Sequence, residues 1–505
     1  MARVSFVTRE RANMKWTLKK VFKKDGFRPL QEEVIISVIE GHDVFLQAST
    51  SFGKSLCYQL PAVLKEWGLT LVVCPLLALM TDQVNYLKGL GVSVATINSN
   101  TSSEERQRVM DDMLCGHPST RILYVTPELL QTENFRRRLL IVHRQRQLVR
   151  VAIDEAHCIS EWGHDFRTAY KELGWLRKNL VNPKIPITAV TATATPNVRE
   201  DIIGILGLNL NDLRLFNTPS DRPNIHYEVR YRPNLEDDSA EAESSQLLNL
   251  HNWLKATRLR REARLGIEGS QNPPMSGIVY VGTRMMAEQL AVKLSSDETV
   301  HAIAYHAGVE AKKRSEIQST WKSSRSFQPA QGRPNPTFSI IVATNAFGMG
   351  IDNPDVRFVV HWTPPKSFES FVQESGRAGR DGCAAVSLVY YGIQERDHIR
   401  NLIFRDAESH RGPNTKENRD VKVLSFGKVI KYCETITRCR HELIKEFFGD
   451  HELEEMGSQR PASDNVPVSS SPCDFACDFC KEGRGGLAMR RAKMGSETEL
   501  YAYNE

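Results

Sequence analysis

Ten short apolar runs alternate with stretches of helical periodicity in two series, and this alternation constrains the fold more than any other feature of the chain. In the first series Val44 to Leu46, Leu71 to Cys74, Ile122 to Val125, Val151 to Ile153 and Ile187 to Val190 read as buried strands. In the second, Gly277 to Val281, Val300 to Tyr305, Ser339 to Ala343, Val356 to His361 and Ala385 to Tyr390 repeat the pattern. Strands that alternate with helices require crossover connections, so each series predicts a parallel sheet covered on both faces. Between the series the periodicity fades. An acidic patch from Glu236 to Glu243, a basic stretch around Arg258 to Arg261 and Asn272-Pro273-Pro274 read as a surface insertion or linker. Gln328 to Pro336 is polar and proline-rich, as a loop would be. After Tyr391 the chain turns helical, enters a cysteine region and ends in a polar tail from Lys481.

The motifs with chemical content follow strand ends, where open α/β sheets bind their ligands. Ala48-Ser49-Thr50-Ser51-Phe52-Gly53-Lys54-Ser55 lies between a strand and a probable helix, the context a phosphate loop requires. Asp154-Glu155-Ala156-His157 closes another apolar run about a hundred residues downstream of Lys54. The residue types match phosphoryl transfer. A lysine cradles the β- and γ-phosphates, a serine and the first acid hold Mg²⁺, and the second acid activates water. Each segment also has an ordinary reading, the loop as a strand-to-helix turn and the acids as helix-start residues that complement the macrodipole. It is the combination with Thr191-Ala192-Thr193 at a third strand end that capping alone does not produce. In the second series Gln373 to Arg380 places Arg377 and Arg380 three residues apart, on one side of a helix if the helix continues through them. Guanidinium groups suit spread phosphate charge, and an arginine finger is worth roughly 10³ to 10⁵ in rate. Lysine in one domain and arginine in the other would require closure to react.

Composition bounds the partners. With 41% hydrophobic and 25% charged residues the chain has an ordinary globular mix, and a net charge of +5 from 66 basic and 61 acidic residues means that a polyanion must be met by a local patch. No apolar stretch approaches the roughly 20 residues of a membrane span, and the N-terminal segment lacks a signal peptide's apolar core, so a soluble intracellular protein with no membrane partner is expected.

Of ten cysteines, five fall between 433 and 480. Cys473, Cys477 and Cys480 have a ligand-like spacing that suggests structural zinc, with a fourth ligand from among Cys433, Cys439, His441 and His451.

Taken together, the ordered motifs resemble those of the RecQ family of DNA helicases in superfamily 2, over roughly residues 15 to 482. Phe27-Arg28-Pro29-Leu30-Gln31 is similar to the family's adenine-reading motif, which assigns Arg28 and Gln31 to the nucleotide base. Thr50, Gly53, Lys54 and Ser55 match the phosphate loop, and Asp154 and Glu155 the acidic box. Cys74 to Met80, Tyr124 to Glu128, Ser220 to Asn224, Tyr305 to Gly308 and Ala343 to Asp352 continue the series, with Asp352 among the nucleotide-site positions. Arg380 matches the arginine finger and Arg377 its γ-phosphate partner. Cys158 to Arg167 resembles the aromatic-rich loop that couples DNA to hydrolysis. Trp162 and Phe166 there offer faces for stacking on single-stranded bases, and Arg167 a phosphate contact. Cys439 to Asp450 looks like the family's zinc-binding helical segment, in which that cysteine is a ligand.

The resemblance implies an α/β fold of two tandem RecA-like parallel-sheet domains followed by a small helical zinc-binding subdomain. The boundaries it suggests are 1–220, 221–405 with an insertion at about 231–276, 406–482, and a polar tail at 483–505. It implies ATP, Mg²⁺ and structural Zn²⁺ as cofactors, single-stranded and tailed duplex DNA as partners, 3′ to 5′ movement, roles in repair, recombination and replication, and a nuclear location in a eukaryote or a cytoplasmic one otherwise. The winged-helix domain of many members is not expected in this sequence. Three positions depart from the family pattern. Ser51 replaces a glycine, Lys24 stands near an adenine-stacking aromatic, and Phe371-Val372 replaces an aromatic pair. Ser51, Lys24 and the expected lack of a winged helix motivate a second reading, a RecQ-like nucleic-acid-binding paralogue that does not hydrolyse ATP. An RNA helicase is a third, which the Trp162 loop and the zinc segment argue against.

Overall fold

The structure, a computed structural model, describes residues 2–65, 67–160, 167–232, 239–265, 274–322, 336–345, 347, 353–409, 415–457 and 477–492. They divide into two compact units, residues up to 221 together with 444–457, and residues 222–443 together with 477–492.

The first unit holds a seven-stranded sheet of β1 (Val44–Gln47), β2 (Leu69–Val73), β3 (Val94–Ile97), β4 (Ile122–Val125), β5 (Leu148–Ile153), β6 (Ile187–Thr191) and β7 (Arg214–Asn217). Its order is β3-β4-β2-β5-β6-β1-β7, and every pairing is parallel. All four residues of β1 and all five of β2 are buried, as strands covered on both faces must be. The two faces separate by the period of two. Phe45, Leu71, Val73 and Leu123 join one apolar core, and Val44, Leu46, Val72 and Tyr124 join the other.

The second unit holds a six-stranded parallel sheet of β8 (Ile225–Tyr231), β9 (Met275–Tyr280), β10 (Val300–Tyr305), β11 (Phe338–Ala343), β12 (Val356–His361) and β13 (Ala385–Tyr391), in the order β10-β11-β9-β12-β13-β8. All ten runs expected to be strands are strands. Three more, β3, β7 and β8, lie at or next to the sheet margins, and β3 and β8 are only partly buried, so their apolar signal is diluted by polar residues.

One sequence expectation is corrected. Within the stretch at about 231–276, Ser239–Leu265 is not a surface insertion, because it forms one helix whose Leu250 and Leu254 are buried in the core of the second unit. Its acidic and basic ends masked an amphipathic middle. The described residues of the helical region expected at 406–482 are shared between the two units. Helix Thr415–Glu434 belongs to the second unit, where Ser425 Oγ donates to Glu369 at 2.6 Å. Residues 444–457 belong to the first. There Arg199 Nη2 donates to the Phe448 carbonyl at 3.0 Å, and the Asp450 carboxylate accepts from Ser220 N at 2.9 Å and Ser220 Oγ at 2.7 Å. Leu453 sits in the same core as Phe45 and Val151. Among the described residues no helix is long and apolar enough to cross a membrane.

Leu453 is fully buried in an apolar cluster whose other buried members end at Leu215, more than two hundred positions earlier. Leu453→Ala should therefore cost the first unit about 2–5 kcal/mol, read as a lower denaturation midpoint in chemical unfolding. An unchanged midpoint would mean that this segment does not stabilise the first unit.

Candidate nucleotide and metal sites

The order β5-β6-β1 sets the C-terminal ends of three strands side by side, and each carries a motif. Residues 48–55 leave β1 and enter helix Leu56–Leu64, with Ala48 N bonded to the Thr191 carbonyl of β6 at 3.0 Å. Lys54 is buried, and its ammonium donates to the Ala48 carbonyl at 2.9 Å and the Ser49 carbonyl at 3.3 Å, so the loop curls around it. Gly53 has φ of 81°, in the left-handed region, and a Cβ there would stand 3.0 Å from Gln31 Nε2.

Gln31 itself is held at both ends. Its Oε1 accepts from Arg28 N at 2.9 Å, and its Nε2 donates to the Phe52 carbonyl at 2.6 Å. The segment expected to read adenine is thus bonded to the phosphate loop. Thr50 is half-buried in that loop, while Lys24 and Arg28, upstream of Gln31, are exposed. Ser51 is not among the residues with positive φ, and its hydroxyl lies 3.2 Å from that of Ser49. The loop therefore does not need glycine's conformational freedom at this position.

Asp154 is buried at the end of β5 and bonded through its carboxylate to Tyr58 Oη at 2.8 Å and to Glu155 N at 3.0 Å. Tyr58 comes from the helix that follows the phosphate loop, so loop and acid are tied by one hydrogen bond. Burial, and then the charge of Glu155, push the Asp154 carboxyl up to about 6, against the pull of Tyr58 and Lys54. Two adjacent acids in a buried crevice suit a divalent cation, and their all-oxygen donor set with the Ser55 hydroxyl fits Mg²⁺. Glu155 has φ of 49°, the strained setting common at functional positions. His157 Nδ1 lies 3.0 Å from Thr191 Oγ1, which accepts from Thr193 N at 3.2 Å. His157 thereby joins the acidic box to the threonine turn.

In the second unit helix Phe368–Ser375 ends before the arginines, and Gly376 to Arg380 form turns. The expected shared helix face is corrected accordingly. The turn is set by carbonyl capture. Arg222 Nη1 donates to Gly376 O at 3.1 Å and its Nη2 to Gly379 O at 2.6 Å, while Asn224 Nδ2 donates to Gly379 O at 2.9 Å. Gly379 has φ of 59°, and a Cβ there would lie 2.5 Å from Asn224 Nδ2, so only glycine fits. Arg377 is buried beside Tyr280, whose hydroxyl donates to Phe347 O at 2.8 Å, and Arg380 is half-buried. Phe371 lies in an aromatic cluster, with ring centroids 5.7 Å from Phe368 and 4.9 Å from Tyr432.

The thiols of Cys439, Cys477 and Cys480 lie within 4.8 Å of one another, and Cys439 Sγ is 3.8 Å from Cys477 Sγ. A tetrahedron of ~2.3 Å Zn–S bonds has edges of about 3.8 Å, so these thiols fit three corners of a zinc site. Cys439 is brought to the cluster. Cys433, His441 and His451 are not part of it; His441 packs its ring edge-on against Tyr227 at 5.0 Å. The hydrogen bond between Cys439 and Cys477 lowers the Cys477 thiol and raises that of Cys439.

Sequence reasoning missed what anchors this cluster. Arg440 and Asp478, each next to a ligand, form a fully buried ion pair at 2.8 Å, and Asp478 Oδ2 also accepts from Val229 N of β8 at 3.0 Å. An arginine and an aspartate beside cysteines carry no sequence signal that they will be paired across 38 residues. Four expected site residues, Trp162, Phe166, Asp352 and Cys473, lie outside the described residues. Arg167 is half-buried, its Nη1 4.0 Å from Glu128 Oε1.

Three family models match in order: DEAD/DEAH box helicase over residues 28–202, helicase conserved C-terminal domain over 255–382, and RecQ zinc-binding over 394–481. The chain is 40% identical over 437 residues to the rat protein named ATP-dependent DNA helicase Q5, an alignment covering 86% of this chain and 42% of the relative. It is 36% identical to rat ATP-dependent DNA helicase Q1, over 86% of this chain and 62% of that one. It is 33% identical to ATP-dependent helicase SGS1 of Saccharomyces cerevisiae, over 94% and 29%. The chain thus spans between about a third and two thirds of the length of these relatives. Among solved structures, the helicase MrfA bound to DNA aligns with a TM-score of 0.57 at 19% identity, covering 77% of this chain and 53% of that one. Mss116p bound to ssRNA and AMP-PNP aligns with a TM-score of 0.53 at 14% identity, covering 89% and 93%. At such identities these two share the fold. With the motifs on their strand ends and the cysteine cluster assembled, the chain belongs to the RecQ family of superfamily 2 helicases.

Proposed function

We propose that this chain is an ATP-dependent DNA helicase that translocates 3′ to 5′ on single-stranded DNA and unwinds tailed duplexes. The observation that carries the reading is in the first unit, where Lys54 follows β1 and the buried Asp154 with the half-buried Glu155 follows β5, on either side of β6 and joined through Tyr58. The polarity rests on family resemblance.

In this reading Gln31 and Arg28 hold the base, and Lys54 exchanges its loop carbonyls for the phosphates. Ser55 and Asp154 hold Mg²⁺, which when bound neutralises charge on the β- and γ-phosphate oxygens. Glu155 orients and deprotonates the attacking water. Arg380 and Arg377, from the second unit, meet the charge that develops on the transferring phosphate. Trp162, Phe166 and Arg167 are assigned to single-stranded DNA. Cys439, Cys477 and Cys480, with Cys473 as fourth ligand, are assigned to a structural Zn²⁺. The names of the relatives support DNA as the substrate, and the family resemblance suggests repair, recombination or replication in the nucleus as the setting. The names of the relatives favour the helicase over the non-hydrolysing reading, and Ser51 keeps a backbone angle that needs no glycine.

ATP turnover should rise with single-stranded DNA and fall to background in Lys54→Ala. A folded, DNA-binding preparation that never exceeds that variant would withdraw the helicase assignment in favour of the paralogue. Glu155→Gln should keep nucleotide binding while turnover drops by about 10² or more, the scale of a lost general base; near-normal turnover would remove Glu155 from its role. Elemental analysis should find about one zinc per chain, and Cys477→Ser should lower both zinc content and thermal stability. A wild-type chain purified without chelator and holding no zinc would overturn the metal assignment.

A further inference from the structure

The β8 side of the second sheet opens into a cleft of about 470 Å³ that the phosphate loop, the arginine turn and the cysteines leave untouched. Its walls come from the C-terminal ends of β8 and β13, the first half of helix Ser239–Leu265, and helix Asp478–Arg491.

One wall is aromatic. The half-buried Trp253 packs edge-on to Phe358 at 5.4 Å, and the Arg230 guanidinium lies 5.9 Å from its ring centroid. Arg230 is held there by Glu228 at 2.9 Å and Asn249 Oδ1 at 2.6 Å, and Tyr390 Oη donates to the same Asn249 oxygen at 2.9 Å. These bonds fix the rings and the guanidinium before any ligand arrives. Another wall is cationic, with Arg490 anchored by Glu482 at 2.7 Å and standing 3.8 Å from Glu228.

Gln246 also lines the cleft and is only 3% exposed. Its Nε2 donates to the Trp362 carbonyl at 2.8 Å, but its Oε1 has no hydrogen-bond partner among the described residues. Such a buried acceptor calls for a donor from whatever fills the cleft. A water would satisfy Gln246 and leave the aromatic and cationic walls unused.

We propose that this cleft binds one nucleotide, with its base stacked on the Trp253 side, a donor on the base edge reaching Gln246 Oε1, and its phosphate drawn to Arg490. The chemistry is shared by a free mononucleotide and by an unstacked nucleotide of single-stranded DNA. The site is distinct from the nucleotide assigned to the phosphate loop, and it stands whether or not the chain hydrolyses ATP.

The test uses the full chain with two photoreactive probes, iododeoxyuridine monophosphate and a short oligothymidylate carrying one iododeoxyuridine. Crosslinked peptides are mapped by mass spectrometry. The expected adduct is on Trp253 or Tyr390. Asn252→Glu places a negative charge on an exposed position of the cleft, and it should reduce that adduct about five- to tenfold with thermal melting unchanged. Ser245→Glu, also exposed, is the second variant should the first fold poorly. An adduct with the mononucleotide assigns a free-nucleotide site, and one with the oligonucleotide alone assigns a base of single-stranded DNA. Adducts only at other positions, or a cleft adduct indifferent to both substitutions in folded protein, would overturn the proposal.

Discussion

Parallel pairing of β1 with β6 and of β6 with β5 is the constraint on which the candidate motor site depends. It brings residues 47, 154 and 191, distant in sequence, to adjacent strand ends, and short loops from those ends have nowhere to go but one crevice. The hydrogen bonds that finish the site are few. Tyr58 reaches Asp154, His157 reaches Thr191, and Gln31 reaches Phe52, so each motif is bonded to a neighbour as well as within itself. The cost of this closeness is visible at Asp154, whose carboxyl is pushed up because two acids share a buried space.

The second unit solves a different problem. A turn carrying two arginines, one buried and one half-buried, has to stay in shape without a helix, and it does so by giving its carbonyls to Arg222 and Asn224. Gly379 is forced by both its backbone angle and the space around it. The cysteine cluster is steadied in a comparable way. Arg440 and Asp478 form a buried ion pair next to the ligands, an arrangement costly to desolvate and strongly destabilised if either partner is lost. Asp478 also reaches β8, so the metal segment is bonded to the second sheet rather than standing apart.

The helical region illustrates how a chain's order and its packing part company. Cys439 lies in the second unit, yet Asp450, only eleven residues later, holds Ser220 of the first. Residues read as one subdomain are shared between two cores. The same lesson applies to Ser239–Leu265, where charged ends suggested a linker and a buried middle made it a core helix.

Much of this was legible in the sequence. Continuous apolar runs such as Val44 to Leu46 and Ile122 to Val125 identified buried parallel strands, because few other structures bury every side chain in succession. Lys54, Asp154, Glu155, Arg380 and the cysteines stand out as candidates in the sequence because phosphoryl transfer and zinc each need specific residue types at specific spacing. Tertiary structure decided the rest. Half-buried β3 and β8 mix polar with apolar residues, and their strand character comes from the neighbours they pair with. The pairing of Arg440 with Asp478 and the placing of Gln246, Trp253 and Arg490 around one cleft rest on contacts across long separations. Local pattern records which face a residue presents, and only the packed chain determines what that face meets.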